Sequence, residues 1–194
     1  MNKLFFLIMF LLPSFYCTGQ FWEGIGEFNG NGNSGVLSLY SDSVENILYI
    51  GGSFSTIDSN EYNGVAYWDG EEIFPMGTGQ DIIAAGIFTM TKYNDNILAN
   101  SVYTPFDGIE NGGVVQWDGN AWADFETSFQ ATNGVVVIRN IEEIDNELYL
   151  MGLFLHVDSI PMTGIVKWTG TEISDLNFPS PYICLLYTSP SPRD

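Results

Sequence analysis

Three passages of this chain recur at a spacing close to fifty residues, and a repeat of that length narrows the architecture more than any other feature. The pair Glu45-Asn46 returns as Asp95-Asn96 and as Asp145-Asn146, fifty residues apart each time, and two residues after each Asn stands Leu48, Leu98 or Leu148. A short apolar run follows, with an aromatic near its end at Phe54, Tyr103 and Phe154. Three residues further on, an apolar residue precedes an aspartate: Ile57-Asp58, Phe106-Asp107 and Val157-Asp158. The last passage is the clearest. It reads Gly64-Val-Ala-Tyr-Trp68-Asp-Gly70, Gly113-Val-Val-Gln-Trp117-Asp-Gly119 and Gly164-Ile-Val-Lys-Trp168-Thr-Gly170, and five residues after each Trp comes Ile73, Trp122 or Ile173.

Each copy therefore holds four short strand-like runs. In the first copy these are 36–40, 47–52, 65–68 and a short run around Ile73, rich in β-branched and aromatic residues and bounded by Gly, Asn and Asp. Asp69-Gly70 and Asp118-Gly119 are tight-turn signals, because Gly takes a positive φ without steric cost. No stretch sustains a helical periodicity. Four strands per fifty-residue period is the arithmetic of a β-propeller blade. The expected fold is all-β, an incomplete β-propeller of about three four-stranded blades (copies about 33–78, 79–130 and 131–178) plus an N-terminal closing strand. That strand is expected at Phe21-Trp22, because Trp22 precedes Asn46 by 24 residues, as Trp122 precedes Asn146. It would complete the sheet of a last blade lying beyond the visible copies.

The Gly51-Gly52 doublet, with Trp68 and Ile73 after it, resembles the kelch repeat and is similar to repeats of secreted propellers of the Bacteroidetes type. The resemblance covers Trp22 to about Ile173. It implies a galactose-oxidase-like propeller architecture and, as in many relatives, export with a C-terminal sorting domain. The doublet is replaced by Asn100-Ser101 in the second copy and Met151-Gly152 in the third, and Trp stands at the kelch Tyr position. The copper ligands of galactose oxidase (His, Tyr and a cross-linked Cys) are not found, so that activity is not implied.

The two ends are expected to lie outside this fold. Asn2-Lys3, the apolar run Leu4–Leu12 and the more polar stretch to Gly19 have the proportions of a secretory signal, so 1–19 is expected to be a cleaved leader. A lipoprotein reading would anchor Cys17 instead, although Phe15 and Tyr16 are bulky for a lipobox. Residues 184–194 match one reading frame of a transposon-end sequencing adapter, so the expected native body is 20–183 and it continues into further blades. With Cys17 and Cys184 set aside, that body has no cysteine, and its stability is expected to come from a packed core rather than disulfides. It carries 23 carboxylates, the 24 of the chain less Asp194, against Lys92, Arg139 and Lys167, a net charge near −20. Such a surface repels nucleic acid and anionic headgroups, and no membrane span is expected after leader cleavage.

The repeated Trp68, Trp117 and Trp168, with Gly64, Gly113 and Gly164, are expected to be structural: a wedge between neighbouring blades, and a glycine that permits close backbone approach. Trp22 and Trp122 are the candidates for stacking on a sugar ring. Asp58, Asp107 and Asp158 have two readings. They are turn formers bonding their own backbone, or they place carboxylates at equivalent points where calcium could bind. No other cofactor is expected. His156, the only histidine, is read as a surface residue, and one His without Cys makes no transition-metal site. Glu71-Glu72 and Glu142-Glu143 are adjacent, so on a strand they would point to opposite faces, a poor acid/base geometry. The expected function is a non-enzymatic binding module, secreted or at the cell surface, with a glycan or protein ligand. The alternatives are an extracellular carbohydrate-active enzyme with catalytic residues in further blades, or a structural module of an adhesin.

Overall fold

The computed structural model describes residues 24–30, 35–79, 86–101, 106–109, 113–131 and 135–176. The expected leader, Trp22 and the adapter-like 184–194 lie outside them. The described residues are all-β and hold three four-stranded antiparallel sheets, each strand pairing with the next in chain order. The first sheet runs Val36–Asp42, Ile47–Gly52, Val65–Trp68 and Ile73–Pro75. The second runs Met90–Tyr93, Asn96–Ser101, Gly113–Trp117 and Trp122–Asp124. The third runs Val137–Ile144, Glu147–Leu153, Ile165–Trp168 and Ile173–Asp175. Pro75 closes an outer edge strand, where its missing N–H costs no ladder bond. The N-terminal closing strand expected at Phe21-Trp22 lies outside the described residues; just after it, Phe28–Asn29 pairs with the loop strand Thr56–Ile57.

The hairpins follow from turn chemistry. Between the third and fourth strands, the Asp69 carboxylate accepts from the N–H groups of Glu71 and Glu72, and Asp118 does the same for Asn120 and Ala121. Those donors, Glu72 first for Asp69 and Ala121 first for Asp118, hold both carboxyls below their ordinary pKa. In the third copy, Thr169 substitutes its hydroxyl, accepting from Glu172 N–H. The repeated glycine before each Trp strand has φ of 87° at Gly64, 120° at Gly113 and 83° at Gly164. The left-handed backbone is the common requirement; at Gly113 close approach adds to it, since a Cβ would meet Phe129 at 3.0 Å.

The second copy is displaced by one residue from the fifty-residue reading. Leu48 pairs with Trp68 and Leu148 with Trp168, but Trp117 pairs with Ile97, not Leu98. The cause is the hairpin. Its two-residue turn is Asn94-Asp95, with φ of 47° and 66°, whereas in the third sheet it is Asp145-Asn146, with φ of 55° and 62°. In the first sheet the loop between Asp42 and Ile47 has four residues, capped by Asp42, which accepts from Val44 and Glu45 N–H. Leu98 is therefore equivalent to Tyr49 and Tyr149, and points to the opposite face from Leu48.

With that register, the packing is uniform. Trp117 and Trp122 share a core with Tyr49, Val65, Met76 and Met90 between the first and second sheets. Trp168 shares one with Leu98, Val114, Leu148 and Leu150 between the second and third. In the second and third sheets the Trp-bearing face thus covers the outward face of the sheet before it. Across the first sheet, that outward face is an aromatic row in register, Tyr40, Tyr49, Tyr67 and Phe74, with ring centroids 6.2, 6.1 and 5.1 Å apart. Trp68 lies in a smaller cluster with Ile25, Phe28, Phe54 and Ile57 and is only partly buried. An ion pair also joins the first two sheets: Lys92 lies 2.7 Å from Asp42, which is almost wholly buried, and 3.1 Å from Glu45. Lys92 holds the Asp42 carboxyl low, and Asp42 in turn raises the lysine pKa.

Candidate functional site

The first strands of the three sheets lie along one groove of about 290 Å³, lined by residues 37–40, 88–91 and 140–142. One from each sheet makes the convergence visible. Ser38 pairs with Gly51 and Asn140 with Met151, and the Thr89 carbonyl accepts from Asn100 N–H at the same level. Polar contacts at these three residues bridge neighbouring sheets. The Ser38 hydroxyl donates to the Ile87 carbonyl at 3.3 Å. The Thr89 hydroxyl donates to Asn140 Oδ1 at 3.3 Å and accepts from Ile141 N–H at 3.1 Å. Asn140 Nδ2 donates to Glu142 Oε1 at 3.2 Å. One level along each strand stand Tyr40, Thr91 and Glu142, also lining the groove. Burial first, and then the Asp42 charge, push the Tyr40 phenol above its ordinary pKa, so it is a neutral hydroxyl.

The ladder is irregular at this level, and the irregularity re-aims side chains. In the first sheet the pairing shifts between Val36 and Ser38, leaving Leu37 as an extra residue; in the third it shifts between Ile138 and Asn140, leaving Arg139. In the second sheet the strand pairing stops at Met90, and the Asn100 side chain takes over: its Oδ1 accepts from Phe88 N–H at 2.6 Å and Thr89 N–H at 3.0 Å. Leu37, Phe88 and Arg139 are thus equivalent. The Arg139 guanidinium carbon sits 5.1 Å from the centre of the Phe88 ring.

The aspartates singled out by the repeat are each in a different loop and each does the same work. Asp58 Oδ1 accepts from Glu27 N–H, Asp107 Oδ1 from Thr78 N–H and Asp158 Oδ1 from Ser128 N–H, all at 2.8 Å. The Thr78 hydroxyl also donates to Asp107. Their own N–H groups return bonds to the carbonyls of Glu27, Gly79 and Ser128. All three have φ of 48–49°, a left-handed conformation that Asp tolerates. Each aspartate therefore fastens the segment leading into its sheet to the loop between the second and third strands. Among the described residues no three His, Cys, Asp or Glu side chains gather into a metal-binding group.

The two readings of these aspartates separate experimentally. Asp158→Ala removes the acceptor and puts Ala in a left-handed backbone, an expected loss of about 1–2 kcal/mol. Asp158→Asn keeps an acceptor and tolerates the conformation, so its melting temperature should stay close to the parent and indifferent to EDTA. Asn behaving like Ala, with EDTA reproducing the loss, would instead make the site a calcium ligand set.

Trp122 is not a sugar platform. It is 7 % exposed, its indole N–H donates to the Met76 carbonyl at 2.7 Å, and Phe106 packs against its ring at 4.9 Å. Glu142 and Glu143 do part, Glu142 to the groove and Glu143 to the N–H of Asn146. His156 lies in a short loop strand paired with Gln130 and Pro161. The groove residues were missed by the repeat search, yet they carry a signal. Ser38, Thr89 and Asn140 stand 51 residues apart, each two places after Val36, Ile87 or Ile138 and one before Leu39, Met90 or Ile141.

Among the described residues no helix is long and apolar enough to cross a membrane. Comparison with known proteins found no matching family model, no matching curated protein and no matching solved structure.

Proposed function

We propose that this chain is an exported, kelch-like β-propeller segment that binds a glycan without turning it over, at the cell surface or outside the cell. The observation that carries the reading is the groove between the first strands. Three successive sheets contribute equivalent hydroxyl and amide groups to it, at Ser38, Thr89 and Asn140. Leu37 and Leu39, 46 % and 60 % exposed, supply apolar surface beside them. Polar groups that fix orientation, set in apolar surroundings, are the composition of a small-ligand site. Hydroxyl-rich lining suits a hydroxyl-rich ligand, and the acidity of the chain turns away nucleic acid. The kelch resemblance and the expected leader support export.

Saturation-transfer NMR against a panel of neutral oligosaccharides tests this. Leu39→Trp fills the groove from an exposed position, leaving the cores alone. Binding by the parent, weakened about tenfold or more in Leu39→Trp with an unchanged unfolding midpoint, is the expected result. Binding that ignores Leu39→Trp would move the site elsewhere. Release of new reducing ends would make the chain an extracellular carbohydrate-active enzyme.

A further inference from the structure

We propose that the groove selects a sugar bearing a single carboxylate, a uronic acid residue, and that Arg139 is the group that holds it. The inference rests on the glycan-binding reading and adds the chemical class of the ligand.

Charge makes the first part of the case. Three cations stand in the 20–183 body against 23 carboxylates. Lys92 is taken by Asp42 and Glu45, and Lys167 by Glu147, 3.1 Å away. Arg139 is exposed and, among the described residues, makes no ion pair with a carboxylate. In a chain this acidic, an arginine kept from every described carboxylate is held by its position, not by a shortage of partners.

Position makes the second part. Arg139 is the extra residue of a bulge; it stands at the edge of the groove, one residue before the lining Asn140, and its equivalents in the other two sheets, Leu37 and Phe88, line the groove itself. Bulges commonly re-aim a side chain beside a binding site. The Phe88 ring supports the guanidinium through a cation–π contact. Phe88 is itself fixed by the bond from its N–H to Asn100. The guanidinium is a planar fork of N–H donors matched to a carboxylate. One residue further along their strands, Ser38 and Asn140 line the groove half-buried and offer polar groups to a sugar's hydroxyls, with Thr89 buried between them. Leu37 offers a surface for its C–H face. A densely charged polyanion is disfavoured by the net charge, whereas one carboxylate meets an arginine that makes no ion pair among the described residues.

The test compares methyl glucuronoside with methyl glucoside at one ionic strength, by NMR titration of the parent, Arg139→Gln and Arg139→Lys. The parent should prefer the glucuronoside by about tenfold, since a hydrogen bond to a charged partner supplies that much. Arg139→Gln should abolish the preference, bringing the glucuronoside-to-glucoside affinity ratio to about one, and Arg139→Lys should restore part of it. A ratio near one in the parent, or a preference that survives in Arg139→Gln, overturns the proposal. If neutral oligosaccharides bind in a Leu39→Trp-sensitive way without any uronate preference, the glycan reading stands and this inference falls. If no sugar binds, both fall.

Discussion

Trp117→Ala is expected to cost about 3–5 kcal/mol, and Trp68→Ala clearly less. The two residues occupy the same register, pairing with Ile97 and Leu48. They differ in what lies over them. Trp117 is 7 % exposed, with the Trp122 ring 5.4 Å away and Tyr49, Val65 and Met76 in the same core, so the first sheet covers it. Truncation would open a cavity between two sheets that cannot both relax into it. Trp68 has only the smaller cluster around Phe54 and Ile57 and keeps part of its surface. Urea unfolding of the two variants decides the matter. Equal losses would mean that the Trp stabilises its own sheet and does little between sheets.

Asn100→Ala should destabilise by about 3 kcal/mol for a different reason. Asn100 has no exposed surface. Its Oδ1 satisfies the N–H groups of both Phe88 and Thr89, and its Nδ2 donates to the Gly86 carbonyl at 3.4 Å. Alanine leaves two N–H groups without that acceptor, each costing about 1–3 kcal/mol when buried. Asn100→Asp keeps the acceptor but places a charge where burial disfavours it. Its loss should therefore shrink as the pH falls toward the raised pKa of that carboxyl, while the loss in Asn100→Ala should not respond to pH. An alanine variant as stable as the parent would show that water can replace the side chain there.

The elements written in local pattern were legible. Strand runs, the Asp-Gly and Thr-Gly hairpins and the buried Trp positions follow from turn residues and alternating apolar positions, which depend on near neighbours. The slip in the second copy was not legible from Asn96, because a turn can move by one residue while its composition barely changes. The pairing partner is the safer ruler: Leu48, Ile97 and Leu148 all precede their Trp by 20 residues. The work of Asp58, Asp107 and Asp158 was half legible. The carboxylates repeat, but their partners are backbone N–H groups of Glu27, Thr78 and Ser128, and a backbone donor leaves no mark on residue identity. The groove was hidden for a further reason. It exists only where three first strands meet, and each contributes a polar residue that would pass for an ordinary strand position in isolation.

The aspartate fastening also bears on how an array of this kind can grow. Each bond spans 29 to 31 residues and closes within one sheet and the segment leading into it. The self-sufficient unit therefore starts just after a fourth strand, ahead of the next first strand. A duplication or deletion whose endpoints fall there carries every carboxylate along with its donor. Endpoints between the lead-in and the first strand would part them, leaving a left-handed aspartate with nothing to hold. Insertions and losses in genes encoding such repeats should accordingly be phased to that point, even where the most conspicuous sequence landmark, the Trp-Asp-Gly passage, lies elsewhere in the period.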